Sequence, residues 1–211
     1  MQYVTGTPVS AVNPHYLRFT AKQAGQGFAN KAYDGIRLEK NHTYCVSFYA
    51  RCVAYEGDGF QIKVQKDGHI FAQTEVKAVK PVPYVPFCDL KIPMEIGYGT
   101  LNPEIEKIHQ MDQSGKCRRN EWIKYEMVLV AVDNVRGAQF ALTMDAPGIV
   151  EFDLISMIPE DAVAGIFRKD LFEALQAIKP GFVRFPGGCI VEGISLDNRY
   201  YWKNTVGDVK D

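Results

Sequence analysis

The stretch Thr43-Tyr-Cys-Val-Ser-Phe-Tyr-Ala-Arg51 sets the pattern that most of this chain follows. Its apolar residues fall at every second position, and successive side chains of an extended strand point to opposite faces. Tyr44, Val46, Phe48 and Ala50 therefore share one face, which we expect to lie in a core. The other face is mixed in character. This alternation predicts a β-strand buried on one side of a sheet.

Several further segments show the same two-residue period, with turn signals between them. Asp67-Gly68 separates two of them and is a strong signal for a two-residue hairpin. Eight such strands with almost no helix predict a mainly β fold, an antiparallel sandwich of the jelly-roll type. The predicted strands are 15–21, 33–38, 43–51, 60–65, 70–76, 122–132, 138–145 and 148–158.

Other regions are less regular. Residues 1–14 show no period, and we interpret them as a lead-in with frayed ends; residues 25–30 resemble a Gly/Asn loop. The segment 78–121 contains prolines that deny a β-ladder its N–H donors. We expect a long excursion there, with one strand at 89–92 and a short helix at 103–109.

Composition and charge exclude several classes of function. The 211 residues carry a net charge of -1 and a sequence pI of about 6.4, which gives no electrostatic reason to expect nucleic acid or a membrane as partner. No run of apolar residues is long enough to span a bilayer, and no apolar leader is present. The five cysteines show no CxxC spacing, so free thiols are favoured over zinc, and Cys45 is expected to be a small core or sheet residue.

The character of the chain changes at Pro159. Apolar residues recur at helical spacing from 168 to 179, and Pro180-Gly181 ends the helix. A short apolar strand, 182–185, follows directly. Helix, short stop and apolar strand are half of a βαβ unit, whose strand needs parallel neighbours. Residues 159–211 are thus predicted to be part of a larger α/β domain.

Two stretches carry a family resemblance. Residues 165–193, which include Lys179-Pro-Gly-Phe-Val-Arg-Phe-Pro-Gly-Gly-Cys189, are similar to an early barrel segment of glycoside hydrolase family 51 α-L-arabinofuranosidases. Asn198-Arg-Tyr-Tyr-Trp-Lys-Asn-Thr-Val-Gly207 resembles the stretch that follows in that family. Residues 15–158 look like the sandwich, similar to a carbohydrate-binding module, that many members insert near the start of their (β/α)₈ barrel.

The resemblance implies an activity that this chain alone does not complete. The parent would remove terminal α-L-arabinofuranosyl groups from arabinose-containing hemicellulose or pectin, with arabinoxylan or arabinan as partners. It would be retaining, with two glutamates supplied outside this chain, so we expect no catalytic residue here, and no cofactor. The remaining barrel would be a further partner, and we expect the parent to be secreted or periplasmic. Two alternatives remain: a non-catalytic carbohydrate-binding module, or an interaction sandwich without glycan affinity.

Three substrate-binding candidates lie in the C-terminal segment. Arg184 matches the strand arginine that the family places in its substrate pocket, where it would bind sugar hydroxyls or keep carboxylates ionised; a buried ion pair is the alternative. Cys189 stands where some members carry a sugar-binding Asn, and a thiol is a weaker partner. Trp202 would stack on a sugar or cap the barrel. Residues 186–188, Pro-Gly-Gly, are expected to form a sharp turn, and Glu192 close to it is interpreted as a solvated loop acid or a partner for a nearby cation.

The sandwich offers weaker candidates. Tyr49, Arg51 and Tyr33 could contact a glycan, although packing in the core or in loops is the favoured explanation for each aromatic ring. Asp153 could help to hold a structural calcium ion, but no oxygen-rich cluster is visible around it. The alternation around Asp153 and Glu151 instead favours carboxylates that point outward from the sheet.

Overall fold

The computed structural model describes residues 1–79, 81–82, 117–118, 121–184, 187–195, 197–201, 203 and 206–207. These residues form twelve strands and two helices. In chain order the strands are β1 (Gln2–Val4), β2 (Tyr16–Ala21), β3 (Gly27–Asn30), β4 (Ile36–Leu38), β5 (Thr43–Tyr55), β6 (Gly59–Lys66), β7 (His69–Lys77), β8 (Pro81–Val82), β9 (Cys117–Arg118), β10 (Ile123–Val130), β11 (Val135–Met144) and β12 (Gly148–Pro159).

Two antiparallel sheets make up the sandwich. The first has the strand order β1-β2-β12-β5-β10, and the second has the order β3-β11-β6-β7, with β4 also paired to β11. The short strands β8 and β9 form a separate parallel pair. The predicted mainly β, antiparallel sandwich is confirmed.

The core lies between the two sheets and is rich in aromatic rings. The apolar face predicted for β5 is buried along its whole length. Phe48 stacks on Tyr125, while Phe60 meets both Phe48 and Phe152 with ring centroids 5.5–6.0 Å apart. Offset and edge-to-face pairs of this kind add to the stabilisation that burial of the rings provides.

The turn predicted at Asp67-Gly68 is confirmed, since it joins β6 to β7 with both residues at positive φ. Two expectations about irregular segments are wrong. Residues 27–30 form β3, which pairs with β11 because Gly27 allows the backbones to approach closely. Gln2–Val4 forms β1 and pairs with β2, so the lead-in is not frayed there. Both segments are too short for an alternation of apolar and polar residues to indicate a strand.

The C-terminal part contains α1 (Lys169–Ile178) and α2 (Cys189–Glu192). The predicted helix is confirmed, and it ends where Lys179 adopts a left-handed conformation. The predicted strand 182–185 is not formed at 182–184, because no parallel neighbour pairs with it among the described residues. No closed barrel occurs in that part of the chain. The strand and helix expected at 89–92 and 103–109 lie outside the described residues.

Neither of the two described helices is long and apolar enough to cross a membrane.

Candidate functional site

Three charged residues form one row across the outer face of the first sheet. Glu151 on β12 lies opposite Arg18 of β2 on one side and Arg51 of β5 on the other. Arg51 Nε donates to Glu151 Oε2 at 2.7 Å, and Arg18 Nε donates to Oε1 at 2.8 Å. Each carboxylate oxygen thus has its own guanidinium. Charge-assisted bonds of this type are the strong class of hydrogen bond.

Arg51 is also held by aromatic rings and by the N-terminal segment. Its guanidinium carbon lies 4.5 Å from the ring centroid of Trp122 and 5.4 Å from that of Tyr16. Its Nη1 donates to Thr7 Oγ1 at 2.6 Å, and Trp122 Nε1 donates to the carbonyl oxygen of Thr7 at 2.9 Å. The two rings and the carboxylate surround the Arg51 guanidinium and hold it in place, so its contacts stabilise the fold.

The N-terminal segment explains why part of this outer face is buried. Thr7 and Ser10 lie over the sheet, and Ser10 itself is buried. Glu151 and Asp153 point outward from the sheet, as the alternation predicts, but both are buried beneath this segment. The two-residue period placed them correctly on the outer face. It could not show that the chain covers that face.

Asp153 lies at an irregularity in β12. The pairing of β12 with β5 shifts register between Asp153 and Ser156, and Leu154 adopts a φ of 47°. Oδ1 of Asp153 accepts a hydrogen bond from the Leu154 amide at 2.8 Å, whereas Oδ2 has no partner among the described residues. Burial raises the pKa of this carboxyl above its ordinary value, and the Leu154 and Val9 amides only partly offset that effect.

The expected calcium site finds little support in the surroundings of Asp153. Calcium takes six to eight oxygen ligands. The described residues contain no group of three or more His, Cys, Asp or Glu side chains placed to hold a metal ion. One carboxylate does not supply that ligand set, and a calcium ion at Asp153 stays a prediction.

The three glycan candidates of the sandwich occupy different settings. Tyr49 is half-buried on the outer face of the first sheet, opposite Lys124 and Asp153. Arg51 is 5% exposed within the charged row, which gives it a structural role. Tyr33 is fully exposed in the turn between β3 and β4. Tyr49, Arg51 and Asp153 thus share one face, and Tyr33 lies apart. Their contact with a glycan stays a prediction.

The C-terminal candidates are only partly described. Arg184 is exposed in a segment without regular secondary structure after α1, Cys189 is the first residue of α2, and Glu192 is exposed at its end. Trp202 lies outside the described residues. Substrate binding by Arg184, Cys189 and Trp202 therefore stays a prediction.

Helix α1 exposes its apolar face. None of its residues is buried, and Leu171, Leu175 and Ile178 are all more than half exposed. Its polar residues Asp170 and Glu173 line a groove shared with the sandwich. Soluble proteins rarely leave an apolar patch of this kind uncovered unless it is an interaction surface.

The two cysteines with described side chains, Cys45 and Cys52, form no disulfide bond. Cys52 is buried in the core, and Cys45 is exposed on the outer face of the first sheet. Cys45 is a sheet residue, one of the two positions expected for it, and it faces outward because it alternates with the buried Tyr44 and Val46 on β5.

Comparison with known proteins shows similarity to α-L-arabinofuranosidases. A family model described as the alpha-L-arabinofuranosidase 1 domain matches residues 174–211. Alpha-L-arabinofuranosidase 1 of Arabidopsis thaliana is 32% identical over 184 residues, which are 87% of this chain and 22% of the relative. Alpha-L-arabinofuranosidase 2 of the same plant is 45% identical over 86 residues, 40% of this chain and 13% of the relative.

A solved structure shows the same fold. The arabinose-bound MgGH51 α-L-arabinofuranosidase matches 99% of this chain and 30% of its own chain, with a TM-score of 0.71 and 22% sequence identity. The match includes both the sandwich and the C-terminal segment. This chain spans about a fifth of the length of the first Arabidopsis relative.

Sequence reasoning missed the charged row and its covering segment. Arg18, Glu151 and Trp122 are not among the site residues predicted from the sequence, since each resembles an ordinary surface or strand residue. A signal was nevertheless present: charged residues at outer positions of three strands, beside a Trp and a Tyr. Only the strand order of the first sheet brings them together.

Proposed function

Because this chain belongs to the α-L-arabinofuranosidases of the glycoside hydrolase family 51 type, we propose that it is part of an enzyme that releases terminal α-L-arabinofuranosyl groups from hemicellulose or pectin. The observation that carries this proposal is the similarity to an Arabidopsis arabinofuranosidase across 87% of the chain, which spans both sandwich and C-terminal segment. Arabinoxylan and arabinan are the proposed substrates.

The proposed reaction is hydrolysis with retention of configuration. It requires two carboxyl groups about 5–5.5 Å apart, one acting as acid and base and the other as nucleophile. In this proposal both belong to parts of the enzyme outside this chain. Glu192 is the carboxylate close to the Pro-Gly-Gly turn, and its exposed position on a four-residue helix is compatible with an ordinary surface acid.

Arg184 would form one wall of the pocket. Its guanidinium supplies several N–H donors in a fixed plane, which suits sugar hydroxyls and carboxylates. In this chain Arg184 is exposed, and its neighbours Phe182 and Val183 are exposed too. An apolar pair directly before an arginine is what a barrel strand would bury once parallel neighbours are present.

The rest of the barrel would also cover α1. The apolar side of α1 faces away from the groove that its polar residues share with the sandwich. Leu171, Leu175 and Ile178 recur at intervals of three and four residues, the spacing of a helix face that packs on other elements. In a (β/α)₈ barrel the outer helices pack on the strands through such a face.

The role of Arg184 can be tested in the chain extended by the remainder of its gene. We expect Arg184→Ala to lower kcat/KM on p-nitrophenyl α-L-arabinofuranoside by about 100-fold, the size of effect seen when one electrostatic donor is removed from an active site. Arg37→Ala removes an exposed arginine of the sandwich and is the matched control. If Arg184→Ala has a kcat/KM within twofold of that of the unsubstituted enzyme and an unchanged melting temperature, the proposed role of Arg184 is contradicted.

A further inference from the structure

The sandwich has an open cleft of about 830 Å³ at the margin of its two sheets. One wall comes from the N-terminal part and β12, with Tyr3, Asn13 and Asp153 among its residues; the other comes from β3, with Phe28 and Asn30. Ligand sites in proteins are concave, mostly apolar and typically about 300–1,000 Å³ in volume. The cleft therefore has the size of a ligand site.

Asp153, one of the residues that line this cleft, has a buried carboxylate oxygen without a partner among the described residues. Asp153 is 7% exposed, and its Oδ2 accepts no hydrogen bond from any residue that the structure describes. A buried polar group without a hydrogen-bond partner costs free energy. A ligand that donates a hydrogen bond to Asp153 Oδ2 would remove that cost. The terminal torsion of an aspartate is broad, so the carboxyl can turn toward a donor that enters the cleft.

The other polar groups of the cleft limit the chemistry of the ligand. Asn13, Asn30 and Tyr3 offer uncharged donors and acceptors, and Tyr3 presents a ring that is 77% exposed. Lys31 is the single lysine or arginine among the residues that line the cleft, which is too little for a phosphate group. No set of metal ligands is present among the described residues.

A sugar unit fits this combination. It carries several hydroxyls that both donate and accept, and it has C–H faces that pack on aromatic and aliphatic side chains. The cleft offers side-chain amides and a carboxylate for the hydroxyls. For the C–H faces it offers an exposed tyrosine ring and the apolar surfaces of Phe28 and Ile155. We propose that this cleft binds a neutral pentose unit of an oligosaccharide, with Asp153 accepting from a sugar hydroxyl and Tyr3 covering a sugar face.

The choice of pentose rests on the proposed function, whereas the cleft itself does not. Oligosaccharide binding here would be separate from hydrolysis, because the Arg184 segment contributes no residue to the cleft among those described. The cleft would hold a substrate chain on the sandwich while another part of the enzyme acts on it.

Binding can be measured by NMR titration of the 211-residue chain with α-1,5-linked arabinotriose, with xylotriose as a second arm. Amide shifts are expected around Tyr3, Asn13 and Leu154, and not around Gln65 on the second sheet. Asp153→Asn removes the acceptor oxygen while keeping the shape, and we expect about tenfold weaker binding because a hydrogen bond to a charged acceptor is lost.

Two exposed positions keep the test sound if Asp153→Asn disturbs folding. Tyr3→Ala and Asn13→Ala should each weaken binding by about threefold to tenfold, and Gln65→Ala should leave it unchanged. Shifts with xylotriose alone would keep the cleft as a sugar site and overturn the preference for arabinose. An absence of shifts with both sugars, or binding that none of the three cleft variants weakens, would overturn the proposal even if the extended enzyme hydrolyses arabinofuranosides.

Discussion

Arg51 and Glu151 face each other on adjacent strands, 5% and 1% exposed, with the Arg51 Nη2 and Glu151 Oε2 atoms 2.5 Å apart. Arg18 binds the other oxygen of the same carboxylate. A buried ion pair is tolerated when its charges are fully hydrogen-bonded, and removing one member leaves an uncompensated buried charge. The row therefore joins β2, β12 and β5, and through Thr7 it also fixes the N-terminal segment.

Glu151→Gln should strongly destabilise the sandwich. The change keeps the shape but leaves Arg51 buried without a counter-charge, which costs about 3–5 kcal/mol of unfolding free energy. Urea unfolding followed by tryptophan fluorescence measures this, since Trp122 lies against Arg51. Glu39→Gln breaks an exposed pair with Arg37 and should cost less than about 1 kcal/mol. Equal losses of unfolding free energy in the two variants would show that the buried charged row stabilises the sandwich no more than an exposed ion pair does.

Asp153 should make stability depend on pH in a defined direction. Because burial raises the pKa of Asp153 in the folded state, the unfolded chain loses this proton first as pH rises. The contribution of Asp153 to stability is present below the ordinary aspartate pKa of about 3.9 and is lost as pH rises through the folded-state pKa. Asp153→Asn removes that titration.

The unfolding free energy of the unsubstituted 211-residue chain, called the parent here, is compared with that of Asp153→Asn from about pH 3.5 to about pH 7. The parent should lose stability relative to the variant across this window. Asp34→Asn, at an exposed turn position, is the control and should follow the parent. A difference between parent and Asp153→Asn that stays constant with pH would refute the raised pKa.

Tyr55 should be an important link between two turns of the sandwich. Its hydroxyl lies 2.6 Å from the carbonyl oxygen of Gly59 and is hydrogen-bonded to the carboxylate of Asp145. Burial, together with the bond to Asp145, raises the pKa of Tyr55. We expect Tyr55→Phe to cost about 1–3 kcal/mol of unfolding free energy, since it leaves acceptors without their donor. Thermal unfolding of Tyr55→Phe beside Tyr33→Phe, a fully exposed tyrosine, provides the measurement and its control. Similar melting temperatures for the two would rule out this link.

The apolar face of α1 should make the 211-residue chain self-associate. Leu171→Glu together with Leu175→Glu places charges on that face, and we expect less binding of a hydrophobic dye and a smaller apparent mass in sedimentation. The sandwich should keep its melting temperature, because no residue of α1 is buried. Lys169→Glu with Glu173→Lys, on the polar side, is the matched control. Unchanged self-association of the leucine double variant would mean that the apolar face of α1 does not mediate it.

The sequence was informative wherever a long two-residue period or a helical period existed. Strand β5, the hairpin at Asp67-Gly68 and helix α1 were predicted within a few residues because each depends on local pattern and turn chemistry. Strands β1 and β3 were missed, since three or four residues carry no measurable period, and both are held by partner strands distant in sequence.

The candidate site was predictable only in part. That Arg51 and Asp153 each point away from the core followed from alternation. Their place on one face depends on the strand order, and their burial depends on the N-terminal segment that crosses that face. Arg184 was chosen through family resemblance, and its role depends on strands that this chain does not contain among its described residues. The strand predicted at 182–185 is absent at the described residues 182–184 for the same physical reason: a parallel strand cannot form without neighbours.

The most direct test of the central claim is hydrolysis of p-nitrophenyl α-L-arabinofuranoside by two purified proteins, the 211-residue chain and the same chain extended by the remainder of its gene. We predict no turnover above background for the chain alone, and clear release of p-nitrophenol by the extended protein. Turnover by the chain alone would contradict the assignment of both catalytic carboxylates to other parts of the enzyme. A folded extended protein without arabinofuranosidase activity would contradict the proposed function itself.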